Sequence, residues 1–341
     1  MRIVYTTTLV AGVSMFAFFR FITTISFFLC LVVTIPDANS QQTKTKVAHI
    51  GYLGVAHSPT DEVFVQELRK LGYREEENLR IEYHWGSNNM SKTTEAAEGL
   101  ARSKVDVIVA VASPATRAAK LATTSIPIVF ADVGDPVAYG FVKNLSRPDG
   151  NLTGLSGGLS GLLPKALQML KELVPKAKRV AVLGNPSNPG FEPVVASLRA
   201  VAPALDLALD YVSLQRPEDF DRVFDELAQT RPDGLFVSPD HFLFTQRERI
   251  IAFASSQRIP AVYGLREYVR AGGLFALGAN RHEMYRRLAR YVDQILKGAK
   301  PGDLPIEEPM RFELVFNLKS AKAIGLDVPP TLLARVDEVI E

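Results

Sequence analysis

The chain has 341 residues, of which 47% are apolar and 22% are charged, and its formal net charge is +2. This composition is that of a soluble globular protein, and the length favours two domains that each bury a core. The small net charge and the lack of basic runs with interleaved aromatic residues argue against a nucleic-acid partner.

The first forty residues differ from the rest. Residues 15–33 are almost wholly apolar with Arg20 as their only charge, and Ala38-Asn-Ser40 places small residues at positions −3 and −1 before Gln41. This pattern predicts that residues 1–40 are a signal peptide, cleaved after Ser40, and that the mature protein is periplasmic. An uncleaved membrane anchor is the alternative, because roughly 20 apolar residues can cross a bilayer.

The leader also contains the only cysteine, Cys30, and Leu29 before it is too large for a lipidation site. The mature chain would therefore carry no cysteine, which suits an oxidising compartment without the use of disulfides. Arg20 interrupts the apolar stretch unless translation begins at Met15. Met1 and Met15 are therefore both candidate starts.

After the leader, short apolar runs alternate with stretches of helical spacing. Strands are predicted at 47–53, 79–85, 105–111, 126–130, 180–183, 207–212, 234–237, 261–263 and 312–316, and helices at 60–71, 91–100, 114–123, 163–173, 194–202, 219–229, 242–256 and 283–296. Such alternation builds parallel sheets covered by helices.

One pattern of runs occurs twice in the chain. The runs at 46–54, 106–114 and 126–130 correspond to those at 178–186, 233–239 and 259–263. We therefore predict an α/β fold of two Rossmann-like lobes with parallel sheets and a cleft between them.

Between Asp132 and Thr153 the pattern breaks into Gly and Pro, which predicts a crossing to the second lobe. Strands remain to be placed after the second repeat, so we expect the lobes to exchange segments. Residues 41–153 with about 265–308 would form the first lobe. Residues 154–264 with about 309–341 would form the second.

Two Ser-Pro corners are the clearest candidates for ligand binding. Ser113-Pro114-Ala115 follows a buried strand and opens a helix, so a hydroxyl lies beside free N–H groups at the positive helix end. That arrangement binds carboxylate or phosphate, unless Ser113 is simply a helix cap. Ser238-Pro239-Asp240 is the equivalent corner of the second lobe. Both corners lie at the carboxyl ends of strands, where open α/β sheets bind ligands.

Further candidates lie at matching strand ends. Asp132 and Asp135 follow the strand that ends at Phe130 and could meet a ligand ammonium, although Asp135 could instead cap the turn at Pro136. Tyr263 ends the matching strand of the second lobe and offers an aromatic wall. Tyr52 and Asn185 end the first strand of each lobe. Their common placement predicts one rim around a cleft.

A secreted serine hydrolase is an alternative function, because Gly154-Leu-Ser156-Gly-Gly158 matches the G-x-S-x-G pattern. Against it, 151–153 is a poor buried strand for such a nucleophile turn. The glycines fit better with flexibility where the chain changes lobes, in which case Ser156 is a candidate ligand-binding residue. The histidines show no paired metal spacing and no nucleotide-binding loop is present, so we expect no metal and no cofactor.

The chain resembles the ABC transporter substrate-binding protein family, whose best-known members bind tryptophan, tyrosine or phenylalanine. The resemblance covers 47–341 and rests on Asn78-Leu-Arg-Ile-Glu-Tyr83, Gly134-Asp-Pro136, Tyr263-Gly-Leu-Arg-Glu-Tyr268 and the segments 68–73, 126–130, 147–156 and 312–322. It implies a type I periplasmic binding fold, in which two lobes are joined by a hinge of three crossing strands and the ligand lies in the cleft.

The resemblance also implies the function. We expect a non-enzymatic receptor, a monomer, that captures a small solute such as an amino acid outside the cytoplasmic membrane and delivers it to an ABC permease. A sensor that feeds a membrane signalling partner is the alternative. Two stretches depart from the family pattern, namely Ala112-Ser-Pro-Ala-Thr116 in place of Gly-Thr-Pro-Ala-Ala and His57-Ser-Pro-Thr-Asp61 in place of His-Pro-Ala-Leu-Asp. The sequence therefore leaves the identity of the ligand open.

Overall fold

The first of two sheets has five parallel strands. The computed structural model describes residues 47–341 except Asn88, with only the backbone of Ser160. The strands are β1 (Ala48–Gly54), β2 (Leu79–Trp85), β3 (Val107–Val111), β4 (Ile128–Val133) and β5 (Leu152–Ser156), in the order β2-β1-β3-β4-β5. The helices between them are α1 (Pro59–Lys70), α2 (Met90–Arg102) and α3 (Ser113–Ala122). The predicted leader and its cleavage site lie outside the described residues.

The second sheet has seven strands. They are β6 (Arg179–Gly184), β7 (Ala208–Ser213), β8 (Gly234–Val237), β9 (Ala261–Tyr263), β10 (Phe275–Ala279), β11 (Phe312–Asn317) and β12 (Glu338–Ile340), in the order β12-β11-β10-β9-β8-β6-β7. Only β10 and β11 pair antiparallel among these strands. The predicted α/β fold with mostly parallel sheets is confirmed.

The remaining helices cover the sheets. They are α4 (Leu159–Leu173), α5 (Phe191–Val201), α6 (Asp219–Thr230), α7 (His241–Thr245), α8 (Arg247–Ser256), α9 (Arg266–Arg270), α10 (Arg281–Leu296), α11 (Leu318–Ala323) and α12 (Pro330–Leu333), with short 3-10 helices at Pro203–Leu205 and Pro301–Asp303. Residues 242–256 were expected to form one helix, but α7 ends at Thr245 and α8 begins at Arg247. None of the described helices is both long and apolar enough to cross a membrane.

Each sheet carries apolar residues on both faces, as a parallel sheet between helix layers requires. All five residues of β3 are buried. The core of the first lobe contains side chains of α10, among them Leu288 and Val292, packed with strand residues such as Ile50 and Val109. Helix α10 therefore belongs to the first lobe, although it follows a strand of the second sheet.

The chain crosses between the lobes three times: after β5, between β10 and α10, and before β11. The crossing segments are tied together, since the N–H of Ser156 donates to the carbonyl of Glu307 at 2.8 Å and the N–H of Glu307 donates to Gly154 at 3.1 Å. Gly154 has φ +151°, and a Cβ there would lie 2.2 Å from the carbonyl oxygen of Phe130. Only glycine allows β5 to approach β4 this closely.

The segment exchange differs from the expected boundaries. We expected the chain to return to the first lobe near residue 265, but α9 and β10 remain with the second lobe and the return comes at Arg281. Strand β10 fits between β9 and β11. Its short apolar sequence would fit either sheet equally well, so periodicity could not place it.

Candidate functional site

A cavity of about 100 Å³ lies between the lobes. It is bordered by the carboxyl ends of β3, β4, β8 and β9, the edge at which open α/β sheets bind ligands. Its lining side chains include Ala112, Ser113, Asp132 and Tyr139 from the first lobe, Asn188, Asp240, His241, Phe244 and Leu265 from the second, and Arg281 and Met284 from α10. Both lobes thus contribute walls to the cavity.

The first-lobe wall is formed by the start of α3. Ala112 immediately precedes the helix with φ 73° and ψ 161°, a backbone conformation that a residue with a side chain rarely adopts. Ser113 is 5% exposed. Its hydroxyl has no hydrogen-bond partner among the residues that the structure describes. The hydroxyl and the free N–H groups of the first helical turn are therefore available to an anionic group in the cavity.

The floor of the cavity is a buried ion pair. The Nη2 and Nε atoms of Arg281 donate to Oδ2 of Asp132 at 2.7 and 3.1 Å. The hydroxyl of Tyr285 donates to the same oxygen at 2.9 Å. On its other side, Nη1 of Arg281 lies 3.7 Å from Oε1 of Glu267 in the second lobe. Arg281 thus contacts carboxylates of both lobes.

The second-lobe wall carries a second carboxylate, that of Asp240. Its Oδ1 accepts the N–H of Leu243 at 2.9 Å and so caps α7, and its Oδ2 accepts Nδ2 of Asn188 at 2.7 Å and of Asn185 at 3.4 Å. Burial raises the pKa of Asp240 despite these hydrogen bonds. This carboxylate is therefore held only by neutral donors in the described part of the chain.

His241 follows Asp240 and is kept uncharged. Burial, together with the positive charge of Arg281, lowers the pKa of His241 to about 4. At neutral pH this side chain therefore adds no charge to the cavity. Its ring lies 6.0 Å from that of Phe244 in an edge-on arrangement.

An apolar wall completes the cavity. Phe244 packs edge-on against Tyr268 with ring centroids 5.7 Å apart. Leu159, Leu162 and Met284 also line the cavity. Together with the charged walls, this surface suits a small solute with one apolar part and ionic groups.

The predicted site residues separate into two groups. Ser113, Asp132 and Asp240 line the cavity. Asn185 bonds Asp240 from an adjoining groove of about 570 Å³. Asp135 borders a different, open groove of about 940 Å³, where Oδ1 accepts the N–H groups of Val137 and Ala138. Asp135 thus caps the turn, as its alternative interpretation proposed.

Four other predicted residues lie away from the cavity. Tyr52 is buried in the first lobe and donates to Oδ1 of Asp61 at 2.5 Å. Ala115 belongs to α3 and is buried in the first-lobe core. Tyr263 is 2% exposed and stacks on Tyr268 at 4.6 Å inside the second lobe. Ser156 borders a cavity of about 250 Å³ at the hinge. Strand ends identified the right edge of each sheet but not the direction of each side chain.

Sequence reasoning missed Arg281, His241 and Phe244. Arg281 comes from a helix that was expected to begin at residue 283. The packing of this helix against β4 cannot be predicted from a local sequence pattern. His241 and Phe244 lie in the short α7, directly after the corner that was identified. The sequence signal that could have found them was the Ser238-Pro239-Asp240 corner, because residues that directly follow a helix cap at a strand end line the same wall of the cavity.

Most of the described chain matches one family. The model of the ABC transporter substrate binding protein family matches residues 56–340. The chain belongs to this family. Members of the family are substrate-binding receptors and not enzymes, as expected from the sequence.

Known relatives agree with this assignment. The chain is 27% identical to a tyrosine-binding protein of Clostridioides difficile over 85% of each chain. It is similar to a conserved domain protein of Vibrio cholerae at 27% identity and TM-score 0.80, covering 86% of this chain and 100% of that one. It shares its fold with a Streptococcus pneumonia protein solved with L-Trp, at 23% identity and TM-score 0.79, covering 86% and 99%. Solved periplasmic binding proteins have the same fold, which confirms the type I assignment.

The geometry of Ser156 in this substrate-binding protein is that of a structural residue. Its hydroxyl donates to the carbonyl of Gly134 at 3.2 Å and accepts the N–H of Gly158 at 3.1 Å. Ser156 is the last residue of β5 and is only 1% exposed, whereas a hydrolase nucleophile stands exposed on a sharp turn after a strand. Among residues 47–341 without Asn88, no group of three or more His, Cys, Asp or Glu side chains could hold a metal ion.

Proposed function

We propose that this substrate-binding protein captures an amino acid between its lobes, outside the cytoplasmic membrane, and delivers it to the permease of an ABC importer. The observation that carries the proposal is the cavity whose walls come from both lobes. One relative is a tyrosine-binding protein and one solved neighbour holds L-Trp, which supports the amino-acid class.

The cavity offers complementary groups for each part of an amino acid. The hydroxyl of Ser113 and the first turn of α3 suit a carboxylate. The carboxylates of Asp132 and Asp240 line the cavity and suit an ammonium, because hydrogen bonds between opposite charges are stronger than those between neutral groups. The apolar wall of Phe244, Leu162 and Met284 suits the side chain.

Capture requires the lobes to move. The cavity of about 100 Å³ is smaller than the roughly 300–1,000 Å³ that small-molecule sites usually occupy. The lobes therefore have to separate to admit an amino acid and then close around it by a hinge movement at the three crossings. The solute drives closure only to the extent that it binds the closed form more tightly.

Titration calorimetry of the exported protein with the twenty amino acids tests the proposal. We expect one or a few of them to bind, to be recovered unchanged, and to raise the melting temperature. The stabilisation should approach roughly 2.7 kcal/mol at about a hundred times the dissociation constant. If no amino acid binds and another class of solute does, the amino-acid assignment is wrong.

The role in import is tested by uptake of the same amino acid in cells. We expect uptake to fall when either this protein or its permease is deleted. If deletion changes transcription of transport genes while uptake is unaffected, the protein serves a sensor instead.

A further inference from the structure

We propose that the amino acid's two charged groups engage different lobes: its ammonium binds Asp240 of the second lobe, and its carboxylate binds Ser113 and the start of α3 in the first lobe. This inference rests on the proposed function and adds the orientation of the solute. It makes Asp240, and not Asp132, the residue that selects for an amino group.

Asp132 is already neutralised within its own lobe. Oδ2 of Asp132 receives hydrogen bonds from Arg281 and from the hydroxyl of Tyr285, and Oδ1 lies 3.4 Å from Nε of Arg281. The guanidinium side chain is only 5% exposed, so water screens this pair weakly. A ligand ammonium at Asp132 would have to compete with a permanent cation that is already in place.

Asp240 has the opposite environment. Its hydrogen-bond donors are two asparagine amides and the backbone N–H groups of Leu243 and Phe242, and the described residues place no cation against it. An ionised carboxylate that is buried without a counter-charge is costly, whereas one that meets an ammonium is stabilised by charge and hydrogen bonds together. The cavity therefore has one carboxylate whose charge remains to be balanced, and an amino group balances it.

Ser113 supplies the other half of the arrangement. Its side chain is more than nine-tenths buried and lines the cavity, and its hydroxyl has no partner in the described part of the chain. Arg281 is less suited to the solute's carboxylate, because its Nε and Nη2 already donate to Asp132 and its Nη1 faces Glu267. The anionic end of the solute therefore belongs at the first turn of α3.

The consequence concerns closure. A solute that carries only one of the two groups engages one lobe and gains little from the approach of the other lobe. A zwitterion joins both. The proposed orientation thus makes closure a test for the presence of both an amino and a carboxyl group.

The experiment measures three variants against matched solutes. The variants are Asp240→Asn, Ser113→Ala and, as a control, Asp233→Asn. Asp233 lies at the opposite end of β8, and among the described residues its carboxylate accepts only the backbone N–H groups of Lys178 and Arg179. Asparagine keeps the helix cap of α7 while it removes the charge. The solutes are two amino acids, L-tyrosine and L-leucine, each with two analogues. Tyramine and isoamylamine are the amines that lack the carboxylate, and phloretate and isocaproate are the acids that lack the ammonium.

We expect Asp240→Asn to weaken the binding of the amino acid and of its amine by about tenfold or more and to leave the acid unaffected. Ser113→Ala should weaken the binding of the amino acid and of the acid but not that of the amine. The control Asp233→Asn should bind all three like the wild type. Where an analogue binds too weakly to titrate directly, its affinity is measured by competition with the bound amino acid. Equal losses for amine and acid, or wild-type binding of the amino acid by Asp240→Asn, would overturn the assignment. If the wild type binds neither L-tyrosine, nor L-leucine, nor any other amino acid, the proposed function itself is wrong.

Discussion

Arg281 and Asp132 form a buried pair that joins the first turn of α10 to the end of β4. Side-chain exposure is 5% for Arg281 and 18% for Asp132, and the two share a hydrogen bond of 2.7 Å. Asp132 has φ 56°, so the chain adopts a left-handed conformation where it leaves the strand. The pair fixes the position of α10 on the first sheet and sets the floor of the cavity.

We predict that Arg281→Met destabilises the protein by about 3–5 kcal/mol, because it leaves the carboxylate of Asp132 buried without its cation. The double variant Arg281→Met with Asp132→Asn should recover part of this loss. Asparagine is neutral and tolerates the left-handed backbone at this position. Urea unfolding of the two variants and the wild type measures the free energy of unfolding. Equal stability of the single and double variants would show that the buried charge is not the cause.

The lowered pKa of His241 predicts a loss of stability at acid pH. Its pKa in the folded protein is about 4, below the ordinary value of about 6.5. The unfolded chain therefore binds the proton more readily, and stability falls as pH drops from about 6.5 towards 4. When the pH falls from 7.5 to 5, this residue lowers the free energy of unfolding by about 2 kcal/mol.

The variant His241→Phe should lack this contribution. Asp240 and other groups also titrate, so the quantity to compare is the difference between variant and wild type at each pH. Urea unfolding at pH 7.5 and pH 5 measures it. The variant should lose about 2 kcal/mol less than the wild type over this range. Parallel losses in the two proteins would mean that His241 is not kept neutral by burial.

The sequence predicted nine of the strands that the structure describes, because runs such as those of β3 and β8 are buried on both faces and apolar throughout, but it did not predict β5, β10 or β12. It also located the cavity edge, since Ser113 and Asp240 each follow a strand. The sequence did not predict the direction in which each side chain points. Tyr263 and Gly264 are adjacent, yet the ring lies in the core and the glycine lines the cavity. That difference depends on long-range packing.

Export of the protein predicts a defined N-terminus. The apolar leader and Ala38-Asn-Ser40 are typical of a cleavage site before Gln41. Edman sequencing of the exported protein should therefore begin at Gln41. The variant Ser40→Leu, with a large residue at position −1, should accumulate as the uncleaved form. A wild-type protein that stays in the membrane fraction with its leader intact would instead indicate a tethered receptor.

A contact across the cleft involves Tyr139 and Gly190. Tyr139 lies in the first-lobe segment after β4, and Gly190 directly precedes α5 of the second lobe. A Cβ atom on Gly190 would lie 2.6 Å from Cζ and from the hydroxyl oxygen of Tyr139. The backbone of Gly190 has φ −81°, which any residue can adopt. A side chain at this position therefore interferes with the opposite lobe and not with its own.

We predict that Gly190→Ala hinders closure and weakens amino-acid binding by roughly tenfold, in line with the usual cost of overpacking. The stability of the protein without solute should change little, because an open arrangement relieves the clash. Gly161→Ala in α4 is the matched control, since a Cβ there meets no atom within 4 Å. Calorimetry gives the affinities, and small-angle X-ray scattering with saturating amino acid shows whether the variant stays more extended. Wild-type affinity and compaction in Gly190→Ala would mean that the solute is held without this approach of Tyr139 to α5.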